Sequence, residues 1–276
     1  MNPIFAPTDA QRMAERVRPT GRVLMRQTWA HLLFLHWAWD AAAVQRTLPA
    51  GLTVDTFEGR AWVGLVPFFM RRVRPAGLCA VPGISDFLEL NVRTYVHDAQ
   101  GRPGVWFYSL DCNQWLAVKV ARNFFHLPYE HADIVATVAT VAAEGGEVDY
   151  RARRRAGRGE AVRAESRFRY RAEPGGRATV PGTREFFLVE RYTLFAHDAR
   201  RGALWAGRVA HAPYRFGAAE VSVWDDTMLR LAGFDPAGRG PDHVGAAEAV
   251  DVEIFGLEKL GSGRAAARAT AATRAG

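Results

Sequence analysis

The sequence is poor in cysteine and in lysine. Its 276 residues include only two cysteines, Cys79 and Cys112, and no C-x-x-C pair. Two cysteines in a chain of this size exclude a disulfide-stapled fold, and the missing pair excludes zinc-ribbon and thioredoxin-like motifs. Of the 36 basic residues, only Lys119 and Lys259 are lysines. Any chemistry that needs a lysine amine therefore has two candidate positions.

Long hydrophobic runs are also missing. No apolar stretch reaches the ~18 residues that a transmembrane helix needs. The first residues, MNPIFAPTDAQRM, lack the basic region and the apolar region of a signal peptide. We therefore predict a cytoplasmic protein with no membrane contact, and a composition of 49% hydrophobic and 24% charged residues predicts an ordinary globular fold.

Several catalytic motifs are absent. The chain has no G-x-S-x-G, no G-x-x-x-x-G-K-[ST] and no G-x-G-x-x-G that opens a helix, which argues against hydrolase-elbow, P-loop and Rossmann sites. None of the eight histidines forms H-E-x-x-H. The pairs His31/His36 and His126/His131 are five residues apart, which is poor spacing for ligation from one helix face. We predict no metal and no cofactor, and we expect His36 to be a hydrogen-bonded core residue.

The positive charge is concentrated at the two ends of the chain. The formal net charge is +7, of which residues 1–26 carry +3 and residues 259–276 carry +4, so the body is neutral. Nucleic-acid binding needs basic residues clustered on a folded face. Nine arginines between positions 151 and 171 are the one local exception. We interpret them as a solvated strand face, and nucleic-acid binding is the weakest hypothesis.

The chain divides into three regions. We predict a polar N-terminal arm over residues 1–25, with a short helix at Asp9–Arg16, one domain over 26–258, and a tail over 259–276. The end of that tail, GSGRAAARATAATRAG, is too small and basic to bury apolar surface, so we expect it to be disordered. We find no signal for the oligomeric state.

The body alternates between strand patterns and a few helix patterns. Asp40 predicts the N-cap of a short helix. Apolar residues at 116, 117, 120, 121 and 124 predict a helix over 111–125 that begins at Asp111. A second short helix fits residues 130–137, and the apolar run at 184–198 is typical of a strand. We predict an α+β fold, a large antiparallel sheet that is closed or nearly closed and carries a few short helices.

One strand combines an apolar face with a polar face. In FLELNVRTYV, a period of two places Glu89, Asn91, Arg93 and Tyr95 on the same side. If this side faces solvent, it is an ordinary surface. If it faces the interior of a barrel, it forms a polar pocket in which Arg93 can clamp a carboxylate. The pattern does not distinguish these alternatives.

Two further polar residues lie at the ends of the predicted helix 111–125. Asp111 is either the helix N-cap or a residue that binds a ligand. Arg122 either satisfies the last carbonyl groups of the helix or binds an anion at the mouth of a pocket. The sequence leaves both alternatives open.

Seven segments in a fixed order carry a family resemblance. FLHWAWD, LPAGLTVDTFEGRAWVGLVPFFM, FLELNVRTYV, GVWFYSLD, ARNFFHLPY, LVERYTLF and VAHAPY resemble the uncharacterised DUF2071 family, also called YqjF-like, over about residues 26–258. That family is similar to the acetoacetate decarboxylase superfamily. The resemblance implies a β-barrel or cone around a closed pocket.

The superfamily pattern also implies site residues. It has an aromatic-x-Glu strand, a helix that ends in Gly-Arg-Glu, and then Gly-Phe-Pro-Lys-Lys, so Glu89 corresponds to its acidic residue and Arg122 to its arginine. Tyr129 and Glu130 stand where the superfamily has two lysines. Decarboxylation there needs a lysine imine, for which acetoacetate decarboxylase is the standard example. Tyrosine cannot form an imine and Lys119 faces away from the apolar side of the helix, so a Schiff-base decarboxylase is not expected.

Two functions of different classes follow. The first is a small-molecule-binding barrel that does non-covalent acid/base chemistry on a small carbonyl or carboxylate compound. In this reading Glu89 and Tyr129 are catalytic, and the substrate-binding residues are Arg93, Arg122, Asn91, Tyr95 and Asp111. The second is a non-enzymatic protein that binds an apolar or amphipathic ligand or a protein partner. Its pocket would be lined by Trp62, Phe68, Trp106 and Tyr108, which are otherwise core residues.

Overall fold

The computed structural model describes residues 6–139, 146–155 and 165–261, and within these ranges it has five helices and sixteen strands. The helices are α1 Asp9–Ala14, α2 Ala41–Gln45, α3 Trp115–Phe124, α4 Arg184–Val189 and α5 Thr227–Leu231. The first eight strands are β1 Val23–Ala30, β2 Leu32–Trp39, β3 Leu52–Val54, β4 Ala61–Pro75, β5 Phe87–Asp98, β6 Pro103–Cys112, β7 Tyr129–Ala139 and β8 Glu147–Arg154. The others are β9 Glu165–Ala172, β10 Arg177–Ala178, β11 Thr193–Asp198, β12 Ala203–His211, β13 Arg215–Gly217, β14 Ala219–Val223, β15 His243–Ala247 and β16 Val250–Lys259.

Seven of these strands form a closed ring. Each strand pairs with the next in the order β4, β1, β16, β12, β11, β6 and β5, and β5 pairs back onto β4. All of these pairings are antiparallel except that of β11 with β6. The ring confirms the predicted α+β fold with a closed, mainly antiparallel sheet, and it encloses the first of two cores.

The remaining strands extend the sheet on both sides of the ring. β2, β15, β13 and β10 continue from β4, while β7, β8, β9 and β14 continue from β6. The second core lies between the outer face of β2, β4 and β5 and the inner face of β7, β8 and β9. β4 is therefore buried on both faces: Phe68 belongs to the core inside the ring, and Phe69 belongs to the second core.

The helix after β6 begins four residues later than predicted. α3 starts at Trp115, and its N-cap is Gln114, whose side chain accepts a hydrogen bond from the Leu116 amide. Asp111 instead belongs to β6, so the prediction that it caps a helix is wrong. It lies next to Glu130 of β7 in a parallel pairing, and this ladder carries the strand beyond Asp111.

Two other secondary-structure predictions are also wrong. Residues 130–137 lie in strand β7 rather than in a helix, because the first two pair with β6 and the others pair with β8. The run 184–198 is a short helix, α4, followed by strand β11, with Thr183 as the helix N-cap. Four consecutive residues of α4, from Phe186 to Val189, are apolar and buried, so this stretch shows no helical periodicity and resembles a strand in sequence.

The N-terminal arm is attached to the body. The predicted short helix is confirmed as α1, which Thr8 and Gln11 stabilise with a capping box. The predicted boundary of the arm at residue 25 falls within β1, which begins at Val23. Asp40 caps α2, as predicted. The predicted tail begins within β16, and its residues 262–276 lie outside the described residues.

None of the described helices has the properties of a membrane span. The longest of them, α3, has ten residues, and none in the described ranges combines the length and the apolar character that crossing a membrane takes.

Candidate functional site

A cavity of about 170 Å³ lies inside the ring of seven strands. Most of its lining is apolar and comes from the inner faces of β1, β4, β5 and β6, and α3 contributes Ala117, Val120 and Ala121. The polar side chains that line it are Gln27, Glu89, Asn91, Arg93, Tyr129, Arg191, Thr193 and Tyr214. The fold therefore encloses a mainly apolar space that contains a small set of ionisable groups.

The polar face of β5 points into this cavity. Glu89, Asn91 and Arg93 all line it, while Leu90 and Val92 between them belong to the second core. Of the two alternatives that the sequence left open, the structure has the inward orientation. It follows from the burial of β5 on both sides, since the second core needs the apolar residues of the strand.

Glu89 and Tyr129 form the closest polar contact in the cavity. The Tyr129 hydroxyl donates a hydrogen bond of 2.7 Å to Oε2 of Glu89. Both side chains are buried, and they come from β5 and from the start of β7, which lie on either side of β6. The pair that the resemblance implied is thus brought together at one wall of the cavity.

Burial makes Glu89 easier to protonate. Removal from water raises the pKa of its carboxyl group to about 7, while hydrogen bonds from Tyr129 and Asn91 act in the opposite direction. Burial also raises the pKa of Tyr129 well above its ordinary value, and the neighbouring Glu89 adds to this effect. At neutral pH the pair therefore holds a neutral phenol beside a carboxyl group that can either take or give a proton.

Arg93 is held in the cavity without an ion pair to any described residue. Its Nη2 donates a long hydrogen bond of 3.4 Å to the Leu188 carbonyl, and its guanidinium lies 5.2 Å from the centre of the Phe34 ring. Nε of Arg93 is buried, and no described residue accepts a hydrogen bond from it. Arg93 is therefore a cation with free donors inside a mainly apolar space.

Arg191 is a second cation of the cavity, and it is not among the site residues predicted from the sequence. Its side chain is 2% exposed, and Nη2 lies 3.0 Å from Oδ2 of the fully buried Asp55. Asp55 also pairs with Arg12 of α1 at 2.6 Å. Nε and Nη1 of Arg191 find no acceptor among the described residues. Burial lowers the pKa of Arg191 to about 10, which leaves it charged at neutral pH.

No sequence signal marks Arg191 as a site residue. It follows α4, in a run that reads as a strand, and its partner Asp55 lies 136 residues earlier. Only the closure of the ring brings the two together.

Three of the predicted substrate-binding residues are not in the cavity lining. The Tyr95 hydroxyl lies 2.7 Å from Nε2 of the buried His36, which confirms His36 as a hydrogen-bonded core residue. Asp111 accepts two hydrogen bonds of 2.6 Å from Arg154. Arg122 is half-exposed, donates to the Tyr129 carbonyl and pairs with Glu130 at 2.7 Å. Each of these side chains has a structural partner outside the cavity.

Neither lysine lines the cavity. Lys119 is exposed on α3, with its Nζ 4.7 Å from the centre of the Trp115 ring, and Lys259 is the last residue of β16. An imine between a cavity ligand and a lysine of this chain is therefore excluded in the described arrangement. Among the residues that the structure describes, no group of three or more His, Cys, Asp or Glu side chains could hold a metal ion.

Comparison with known sequences gives one family. The DUF2071 family model, described as an uncharacterized conserved protein, matches residues 26–251. The uncharacterized protein YqjF of Bacillus subtilis (strain 168) is 35% identical over 215 residues, which cover 78% of this chain and 84% of YqjF.

Comparison with solved structures gives the fold. An acetoacetate decarboxylase-like enzyme from Sphingomonas wittichii RW1 superposes with a TM-score of 0.56 at 17% identity, over 87% of this chain and 94% of that one. The enduracididine biosynthesis enzyme MppR, complexed with pyruvate, gives a TM-score of 0.56 at 16% identity, over 90% of this chain and 94% of that one. At these identities the likeness extends to the fold, which is that of the acetoacetate decarboxylase-like proteins.

Proposed function

This chain belongs to the DUF2071 family, and we propose that it is a small-molecule-binding barrel that catalyses proton transfer next to a carbonyl group of its ligand. The observation that carries the proposal is the 2.7 Å hydrogen bond from Tyr129 to Glu89 inside a mainly apolar cavity. A general base and a neutral donor side by side are the two groups that enolisation requires.

The acid/base properties of the pair suit a reaction at neutral pH. A carboxyl group with a pKa of about 7 is present in both protonation states there, so it can accept a proton in one step and return it in the next. The phenol stays protonated, because its pKa is raised. Tyr129 is therefore the hydrogen-bond donor, and Glu89 carries the proton.

The proposed step balances without a further reactant. The Glu89 carboxylate removes a proton from the carbon next to the ligand carbonyl, the electron pair of that C–H bond forms a C=C bond, and the π electrons of the C=O bond move onto the carbonyl oxygen. The Tyr129 hydroxyl turns from Glu89 to this oxygen and stabilises the enolate with a hydrogen bond. Glu89 then returns a proton to the same carbon, which exchanges that proton with solvent. Where the ligand already has a C=C bond conjugated with the enolate, the proton can instead go to the far carbon of the dienolate, which moves the double bond.

The fold neighbours support this class of ligand. MppR, which has the same fold, was solved in complex with pyruvate, a small compound with a carbonyl and a carboxylate. In the present chain, Arg93 lies in the same cavity as Glu89 and has free donors for a carboxylate, and Asn91 lies between the two on the same strand face. We assign Arg93 and Asn91 to ligand binding.

One observation favours a second function of a different class. The cavity lining is mainly apolar, and Trp29, Phe68 and Phe107 are part of it. Such a lining also fits a protein that binds an apolar or amphipathic ligand without changing it. The two functions differ in one measurable property, because only the enzyme moves a proton.

Deuterium exchange tests the proposal without knowledge of the product. A panel of small oxo acids, enoates and fatty acids is first screened for ligands by thermal shift, since a compound at a hundredfold excess over its dissociation constant stabilises the fold by about 2.7 kcal/mol. Each binder with a carbonyl is then incubated with the protein in D₂O, and loss of the proton signal next to the carbonyl is followed by NMR. We expect catalysed exchange with the wild-type protein and none with Glu89→Gln.

Two variants separate the roles in this assay. Tyr129→Phe keeps the base and loses the donor, so we expect exchange slowed by about 100-fold, the usual cost of one stabilising donor. Arg153→Met, which changes an exposed residue of β8, serves as the matched control and should exchange like the wild type. Binding without exchange in the wild type would favour the non-enzymatic function, and unchanged exchange in Glu89→Gln would show that the site is misplaced.

A further inference from the structure

The positions of the charged groups in the cavity define the length and the charge of the ligand. We propose that the cavity takes a linear oxo acid with a carboxylate at Arg93 and Arg191 and a carbonyl group at Glu89 and Tyr129, about three to five carbons apart. This inference rests on the proposed function and specifies its substrate class. A short 2-oxo acid, whose two groups are adjacent, would reach only one end.

Arg93 and Arg191 form a cationic end of the cavity. The two guanidinium carbons lie 5.6 Å and 5.2 Å from the centre of the same ring, that of Tyr95. Both groups have buried nitrogen atoms for which no described residue provides an acceptor.

The side chains at this cationic end carry more positive than negative charge. Arg12 and Arg191 share the buried carboxylate of Asp55, and Arg12 has a second, longer contact of 3.7 Å with Asp9. Arg93, which is half-buried, has no ion pair to any described residue. A cation held in a mainly apolar space without a partner is costly, and a ligand carboxylate that bridges Arg93 and Arg191 would remove that cost. The cationic end therefore selects an anion, and the planar forks of arginine favour a carboxylate.

The cationic end and the acid/base pair are separated along strand β5. Glu89 and Arg93 are four residues apart on β5, and β5 keeps its register with β4 from Phe68 opposite Glu89 to Gly64 opposite Arg93. The extra residue at the bulge lies on β6 instead. At about 3.3 Å per residue, the two side chains leave the strand roughly 13 Å apart.

The side chain of Arg93 does not extend along the strand toward Glu89, so it does not shorten this distance. Its guanidinium packs toward Tyr95, two residues further along the strand and away from Glu89. If the ends of the two side chains keep the roughly 13 Å separation of their strand positions, and a hydrogen bond of roughly 2.8 Å is allowed at each end, about 7 Å remains between the outer oxygens of the ligand. A carboxylate and a ketone separated by three methylene groups have this span.

The cavity volume agrees with the same ligand size. At about 170 Å³, the space is close to the ~150 Å³ cavity that accommodates one benzene molecule. A linear ligand of about eight to ten non-hydrogen atoms fits a space of this order when its carboxylate extends toward the arginines. The compound 5-oxohexanoate meets both the length and the size.

A length series measured by titration calorimetry tests the inference. The probes are pyruvate, 4-oxopentanoate, 5-oxohexanoate and 8-oxononanoate, with 2-hexanone as the probe that lacks the carboxylate. We expect 5-oxohexanoate to bind at least tenfold more tightly than pyruvate, 8-oxononanoate and 2-hexanone. We also expect Arg93→Met to weaken 5-oxohexanoate at least tenfold and to leave 2-hexanone unchanged.

Arg93→Met is the primary variant because Arg93 has no ion pair among the described residues, so its removal leaves no acid unpaired. Arg191→Lys is the second variant. It keeps the positive charge near Asp55 but loses the planar guanidinium group. It should also weaken the binding of 5-oxohexanoate, while Arg153→Met should leave this binding unchanged.

If pyruvate binds most tightly, or if 2-hexanone binds as tightly as 5-oxohexanoate, the inference is wrong and the proposed function stands. If no probe binds, 2-hexanone included, the proposed function itself fails.

Discussion

The Tyr95 hydroxyl lies 2.7 Å from Nε2 of His36, although their strands do not pair with each other. β4 lies between them, and its residue in this row is Gly64, which pairs with His36 on one side and with Arg93 on the other. His36 also lies 3.1 Å from His243 of β15 through their Nδ1 atoms. A continuous row of polar groups thus crosses the sheet behind the cationic end of the cavity.

We predict the tautomers of both histidines from this row. Burial lowers the pKa of His243 to about 4, so His243 is neutral at pH 7, and its Nε2 lies 3.6 Å from the carboxylate of Glu185. The carboxylate favours the proton on that nitrogen, which leaves Nδ1 of His243 to accept from Nδ1–H of His36. Nε2 of His36 then accepts from Tyr95. Nitrogen-15 NMR of labelled histidine checks this order, and a proton on Nε2 of His36 would contradict it.

We predict that Gly64→Ala destabilises the protein. A Cβ atom at this position would lie 2.9 Å from Cδ2 of His36, closer than a normal contact, and His36 is fully buried and cannot move aside freely. We expect the free energy of unfolding to fall by about 1–3 kcal/mol, the usual range for an overpacked core. Urea unfolding measures this change.

Gly256→Ala is the matched control for that variant. Gly256 also lies in a strand, and a Cβ there would make only an ordinary contact of 3.8 Å with Leu24. We expect a change within about 0.5 kcal/mol. Equal effects of the two substitutions would mean that the space above Gly64 is not needed by His36.

The polar face of β5 could be predicted from the sequence, and its direction could not. The period of two places Glu89, Asn91 and Arg93 together, as the structure confirms. Which face is inside depends on the strands that cover the other face, and β7, β8 and β9 follow later in the chain. A local pattern contains no information about that cover.

Arg191 and Asp111 show the limits of local patterns in another way. Arg191 obtains its role from Asp55, and Asp111 obtains its partner Arg154 from a strand 43 residues away. The last four residues of α4 are all apolar and buried, so their run could not be distinguished from a strand. In each case, tertiary contacts decide what the residue does.

We predict that Asp55→Asn is strongly destabilising. The substitution removes the carboxylate that the buried Arg12 and Arg191 share, so that Arg191 loses its ion pair and Arg12 keeps only the longer contact of 3.7 Å with Asp9. Breaking a buried pair in this way costs about 3–5 kcal/mol. Asp133→Asn, which affects pairs with the exposed Arg153 and Arg155, should cost less than about 1 kcal/mol. Guanidinium unfolding curves compare them, and similar midpoints would contradict the prediction.

Glu89 links the stability of the fold to pH. Its pKa is about 7 in the folded protein and near 4.5 when the chain unfolds. Between these values the folded state binds the proton and the unfolded state has lost it, so stability must fall as the pH rises through this window. The direction is opposite to that of a carboxylate in an ion pair, because burial favours the neutral form of Glu89.

Glu89→Gln should therefore remove a pH dependence that the wild type shows. The raised pKa corresponds to about 3 kcal/mol of folding free energy that is present near pH 4 and lost by pH 8. Glutamine keeps the shape and still accepts the Tyr129 hydrogen bond, but it cannot ionise. Urea unfolding curves at several pH values measure the free energy of unfolding of the variant and of the wild type. As the pH rises from 4 to 8, we expect the variant to become more stable relative to the wild type by up to about 3 kcal/mol. A constant difference would show that Glu89 ionises at its ordinary pKa, and the proposed base would then lack its tuning.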